Sequence, residues 1–83
     1  MSALRVTVHD AWDEVAVPFD PAMSLAEVKR RALEVARVTD PADRFLLKFR
    51  GAELRDEART VAEAGLPAGA PLIVLRRRRR AVR

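Results

Sequence analysis

The side chains able to do chemistry are few and poorly placed for it. His9 is the only histidine and the chain has no cysteine, so the three or four N, S or O donors that a zinc site requires are not assembled. As the last residue of Leu4-Arg-Val-Thr-Val-His9 it has the outward parity of a strand, where an imidazole is simply solvated. No metal and no cofactor is expected. Asp10, Asp13 and Glu14 are close enough in sequence to pair for general acid–base work, but they occupy a polar turn with no apolar neighbours to raise a carboxyl pKa. Gly51, Gly65 and Gly69 form neither a phosphate-cradling loop nor the sharp turn that exposes a nucleophilic serine. No catalytic residue, and hence no enzyme, is expected. What remains are groups that bind. Trp12, the sole tryptophan, falls in a turn, where a large ring can anchor an interface at small entropy cost or fold back onto the strands. The second group is an arginine run: Arg76, Arg77, Arg78, Arg79, Arg80 and Arg83.

That run dominates the charge. The whole chain carries +4, from 16 Lys and Arg against 12 Asp and Glu. Six of those arginines lie after residue 75, so residues 1–75 hold 10 cations against 12 carboxylates, a net of −2. Adjacent like charges repel and cannot be buried together, which makes 76–83 a flexible, solvated arm on a mildly acidic domain spanning 1–75. Such an arm can meet nucleic-acid phosphates or an anionic membrane surface without reading sequence, because no aromatic is interleaved in it. It can equally serve solubility alone.

Eighty-three residues make one domain, with no disulfide to help a small core. No apolar run approaches the ~20 residues of a membrane span, and the first ten residues do not resemble a signal peptide, so a cytoplasmic location is expected.

The elements that must carry these residues follow from periodicity. Leu4, Val6 and Val8 alternate with Arg5, Thr7 and His9, and Val15, Val17 and Phe19 alternate after a turn at Asp10–Asp13, predicting a hairpin. Pro18 has no N–H to donate and places the second strand at a sheet edge. Ser24 with Glu27 three residues on makes a capping box, and Leu25, Val28, Ala32 and Val35 form the apolar stripe of a helix that stops before Thr39-Asp-Pro41. Phe45, Leu47 and Phe49 alternate in a third strand, turning at Gly51 into a short fourth at Ala52–Leu54. Thr60 and Glu63 repeat the cap spacing before a helical turn closed at Gly65, and Leu72–Leu75 form the last strand.

The capped helix after a first hairpin, the stretch FRGAELRDEARTVAEAGL (residues 49–66) and the closing LIVLR (72–76) together resemble the ubiquitin-like β-grasp family over residues 4 to about 77. The ending TVAEAGLPAGAPLIVL is similar to small bacterial ubiquitin-like proteins, such as those of type VII secretion and the ubiquitin-like subunit of toluene monooxygenases. The resemblance implies an α+β fold: a mixed sheet of four to five strands, ordered second, first, fifth, third, with one main helix across one face. It also implies that the opposite face recognises proteins. Parity puts Leu46 and Lys48 of the third strand, Ile73 and Leu75 of the last, and Arg5 and Thr7 of the first on that face, an apolar patch rimmed by Arg5, Arg44, Lys48 and Arg50. Lys48 stands where ubiquitin has its central isoleucine, so ubiquitin's own partners are not expected. Cross-strand packing or a homo-oligomer could also account for the patch. Family modifiers are conjugated through Gly-Gly, whereas no glycine follows Gly69 in this sequence, so conjugation is not expected. The combined expectation is a noncovalent protein-interaction module, a small subunit or adaptor of a bacterial assembly, docking through Leu46, Lys48, Ile73, Leu75, Trp12 and Arg5. The alternative is a nonspecific binder of nucleic acid or anionic membrane through its arginines.

Overall fold

The computed structural model describes residues 3–77. Strand β1 (Ala3–Val8) turns through a short 3-10 segment at His9–Ala11 into β2 (Asp13–Pro18). Leu4 lies opposite Val17 and Val6 opposite Val15, so the alternation read from sequence is the actual inward row. Helix α1 (Leu25–Val35) crosses to β3 (Phe45–Phe49), which turns at Arg50 and Gly51 into the two-residue β4 (Ala52–Glu53). A single helical turn, α2 (Val61–Ala64), precedes β5 (Pro71–Arg76). The sheet order is β2-β1-β5-β3-β4, with β5 parallel to β1 and antiparallel to β3. β2 is an edge strand, as Pro18 requires, and Pro71 takes the first position of β5, where its missing N–H costs least.

Both helix starts are capped, but differently. Thr60 and Glu63 form the full reciprocal box. At α1 the Ser24 hydroxyl accepts from Glu27 N at 3.1 Å, yet the return half expected from the spacing does not form, because the Glu27 carboxylate is held by Arg30 and Arg31 instead. The two helix starts also satisfy each other. Leu25 N and Ala26 N donate to the carbonyls of Arg59 and Glu57, while Val61 N and Ala62 N donate to those of Met23 and Pro21. Four backbone donors that an isolated pair of helices would leave free are thereby matched, locking the 20–26 and 57–62 segments together.

The core lies between α1 and the sheet and contains Leu4, Val6, Val8, Val17, Leu25, Val28, Ala32, Phe45, Leu47, Leu72 and Val74. The helix stripe differs from expectation. Leu33 and Lys29 are buried and Val35 is 56% exposed. At about 100° per residue, Leu33 and Val35 lie some 80° from Leu25 on opposite sides, and the buried arc runs from Val28 through Leu25 and Lys29 to Leu33, leaving Val35 just outside it. Phe19, Phe49 and Leu54 are half-buried at the rim of this core. Lys29 belongs to the core because its ammonium is fully employed: Nζ donates to Phe45 O at 2.9 Å and pairs with Glu57 Oε1 at 2.8 Å.

Candidate docking face

The side of the sheet away from α1 is organised in rows that run across the strands. Register aligns Glu14 with Thr7, Thr7 with Ile73, Ile73 with Lys48 and Lys48 with Glu53, one row spanning all five strands. Beside it, Leu75 faces Leu46 across the β5–β3 pair. Val74 and Leu72 are buried while Ile73 is 36% exposed, so the parity inferred for the closing strand is the parity adopted. Leu46, Lys48 and Leu75 are half-buried. The structure therefore brings together four of the six expected docking residues: Leu46, Lys48, Ile73 and Leu75.

Arg5 lies one row further along, opposite Pro71, and its guanidinium is turned to Glu14 at 3.1 Å. Both side chains are more than half exposed, so this ion pair is weakly held and screened by salt. Trp12 is apart from the rows, past the Val8–Asp13 pair that closes the hairpin. It does not fold back onto the strands. Its backbone is left-handed (φ 51°), its side chain is 85% exposed, and its ring stacks on His9 with centroids 5.6 Å apart.

The start of the arginine run requires a correction. A free arm beginning at residue 76 does not describe Arg76 and Arg77, because β5 continues through Arg76 and the β3–β5 pairing is extended by Arg77 N donating to Arg44 O at 2.7 Å. Arg76 shares the inward parity of Leu72 and Val74. Its guanidinium lies over the Phe45 ring, 4.9 Å from the centroid, and forks to Asp40 at 2.9 Å and to Asp10. The hydrogen bonds it donates to Asp10, then to Asp40, push the Arg76 pKa above its ordinary value. Arg77, two residues after Leu75 on the outward parity, donates Nε to Asp43 O at 3.0 Å and approaches Glu53 at 3.7 Å, adding a cation to the edge of the Leu46–Leu75 pair. Only the carboxylates in the turns at Asp10 and Asp40 could have signalled this clamp, and neither their distance nor their direction is encoded locally. Arg78, Arg79, Arg80 and Arg83 lie outside the described residues.

Other polar clusters are occupied with structure. In a shallow depression lined by Asp56, Ala58, Arg59 and Glu63, Asp56 accepts from Ala58 N, Glu63 caps Thr60 N, and Arg59 donates to the Glu63 carbonyl. On the exposed side of α1, Arg30 and then Arg31 hold the Glu27 carboxyl down at about 2. Among the described residues no three His, Cys, Asp or Glu converge as metal ligands, and no helix is long and apolar enough to cross a membrane.

No family model and no curated protein matches this chain. Among solved structures it is similar to the ubiquitin-like domain of an Arabidopsis thaliana protein determined by NMR in solution. The TM-score is 0.77 at 22% identity, over 99% of this chain and 84% of that one. The fold is the ubiquitin-like β-grasp. At that identity the likeness speaks to architecture alone, and within a β-grasp the differences lie in what decorates the face. Here Lys48 sits in the middle row between Ile73 and Glu53 and makes no ion pair with another described residue.

Proposed function

We propose that this chain is a noncovalent protein-interaction module, whose partner docks on the outward sheet face over Ile73, Leu46 and Leu75, with Lys48 at the centre and Arg5 and Arg77 at the rim. The observation that carries the reading is the parity of β5: Ile73 and Leu75 point away from α1 on a central strand, beside Leu46 of β3, so the exposed Ile73 and the half-buried Leu75 and Leu46 share the face opposite the helix. Desolvating such a face is favourable at about 25 cal/mol per Å2 of apolar area, and a central cation supplies direction for a carboxylate on the partner. A role as a small subunit or adaptor in a bacterial assembly extends this reading. It is supported by the resemblance of residues 60–75 to bacterial ubiquitin-like proteins.

The test uses the chain as bait in extract of its source organism, in parallel with Ile73→Asp/Leu75→Asp, Lys48→Glu and a form ending at Arg77. Folding of each is verified by circular dichroism. The double substitution abolishes capture of the partner, Lys48→Glu weakens it, and the shortened form retains it. Undiminished capture by the folded double variant removes the docking face from consideration. A dimer in sedimentation equilibrium that the double variant breaks makes the partner a second copy of this chain.

A further inference from the structure

The two edges of the sheet are unlike. At one, β4 is two residues long and gives another strand little to pair with. At the other, β2 is six residues long, regular throughout its pairing with β1, and has no strand beyond it among the described residues. Register fixes which of its backbone groups are open. Gly69 N donates to Ala3 O and Arg5 N to Ala70 O, so residues 3 and 5 direct their polar groups toward β5. Leu4, Val6 and Val8 therefore serve β2 through Val17, Val15 and Asp13, and the N–H and C=O of Glu14 and Ala16 point outward. No loop among the described residues bonds to any of those four groups. Pro18 has the same outward phase, where its missing N–H costs the β1–β2 ladder nothing.

We propose that this edge receives β2 of a second copy of the chain, antiparallel, about a two-fold axis at Val15, joining two sheets into one. The strand's own residues select that register. An axis at Glu14 sets two carboxylates opposite each other, and an axis at Ala16 sets the Glu14 carbonyl against the Pro18 ring, which has no donor. With the axis at Val15, Glu14 of each copy faces Ala16 of the other, and all four open groups of each chain are paired. Charge agrees with this occupant. Ala16 is in register with Arg5, so Glu14 of the second copy lies across a methyl group from Arg5, two strand spacings or about 10 Å away between Cα atoms. Arg5 already pairs with Glu14 of its own chain at 3.1 Å, so two cations and two carboxylates alternate around the junction. On the helix side Val15 meets its counterpart. Lys29 turns one flank of α1 toward β3, which turns the opposite flank, with the exposed Val35, toward the junction. Trp12, itself exposed, comes alongside Pro18 of the second copy. The axis is perpendicular to the sheet, so both α1 helices lie on one side and both Ile73 faces on the other, independent of what docks there. A single strand pair buries less than about 1,200 Å2, which makes the dimer a weak one.

Sedimentation equilibrium and NMR hydrogen exchange on the full 83-residue chain, from about 10 µM to about 1 mM, test this. The chain dimerises across the series. The Glu14 and Ala16 amides exchange fast in dilute solution and slow as dimer forms, while those of Val15 and Val17 are slow throughout. Ala16→Pro removes one open donor per chain and leaves the β1–β2 ladder intact, and Ala16→Glu sets a carboxylate against Glu14 of the second copy. Each raises the dimer Kd at least about 10-fold, with folding verified by circular dichroism. Ile73→Asp/Leu75→Asp leaves the dimer intact, which separates this edge from the sheet face. A monomer at every concentration overturns the inference, as does a dimer in which the two amides stay fast or which survives both Ala16 variants. A dimer lost only in the Ile73/Leu75 variant assigns the contact to the sheet face instead. Protection of the two amides only on adding extract of the source organism gives the edge to a strand of another protein.

Discussion

Arg76 and Phe45 face each other across the β5–β3 pair, and the guanidinium lies on the ring while gripping Asp10 and Asp40. One side chain thereby joins the first hairpin, the loop after α1 and the last strand. Stacking and forked hydrogen bonding together are properties of guanidinium, not of ammonium.

Arg76→Lys should therefore behave much more like Arg76→Ala than like the parent. Both variants are expected to melt at lower temperature than the parent in low salt, with the gap narrowing toward 1 M NaCl as the ion pairs are screened and only the ring contact remains. Thermal melts followed by circular dichroism at the two salt concentrations decide it. A lysine variant as stable as the parent at low salt would show that simple charge, rather than the fork and the stack, holds the strand end.

Glu27 gives a pH signature. Its carboxyl is lowered from the ordinary 4.5 to about 2 by hydrogen bonds from Arg30 and Arg31. Because the folded value is the lower one, the unfolded state binds the proton more readily. The contribution to stability is complete above pH about 4.5 and is lost as pH falls toward 2. The melting temperature of Glu27→Gln should therefore lie below that of the parent by a constant amount at neutral pH, and the two should converge between pH 4.5 and 2. A difference that persists unchanged at pH 2 would mean that the glutamine alters the helix start by some route other than charge.

The strands were legible because parity is local: Leu4, Val6 and Val8 declare their face within six residues, and Pro18 declares an edge by its own chemistry. Gly65 is equally plain, adopting φ 72° at the end of α2. Which residues share the outward sheet face followed from the same parity applied to β3 and β5. What escaped are relationships between distant segments. Arg76 reads as the first residue of a cationic arm because its partners are 36 and 66 residues away. Ser24 and Glu27 have the spacing of a reciprocal box, but two arginines one turn further along the helix compete for the carboxylate. The α1 stripe was shifted toward Val35 because a lysine at position 29 is read as polar. That assignment forced the inward side away from Leu33, although 25, 29 and 33 form an i, i+4, i+8 line that an apolar residue at 29 would have made obvious.

The burial of Lys29, at 3% exposure, makes the sharpest prediction about stability. Its Nζ has two partners, the Phe45 carbonyl and the Glu57 carboxylate, and Glu57 retains 18% exposure, so the two ions are desolvated unequally. Removing Glu57 strands an ammonium inside the protein. Removing Lys29 leaves a carboxylate that can turn to water and a single unmatched carbonyl. Truncating one partner of a fully buried pair typically costs about 3–5 kcal/mol, and the partial exposure of Glu57 brings Glu57→Ala down to about 2–3. Lys29→Met, which keeps the packing of the stem, should cost less, about 1–2 kcal/mol, chiefly for the orphaned carbonyl. Combining Lys29→Met with Glu57→Leu removes both charges together, so the double variant should be more stable than Glu57→Ala alone. Urea denaturation of the three variants measures these differences. If Lys29→Met proves costlier than Glu57→Ala, the ammonium contributes mainly through Phe45 O, and the ion pair is incidental to holding α1 against β3.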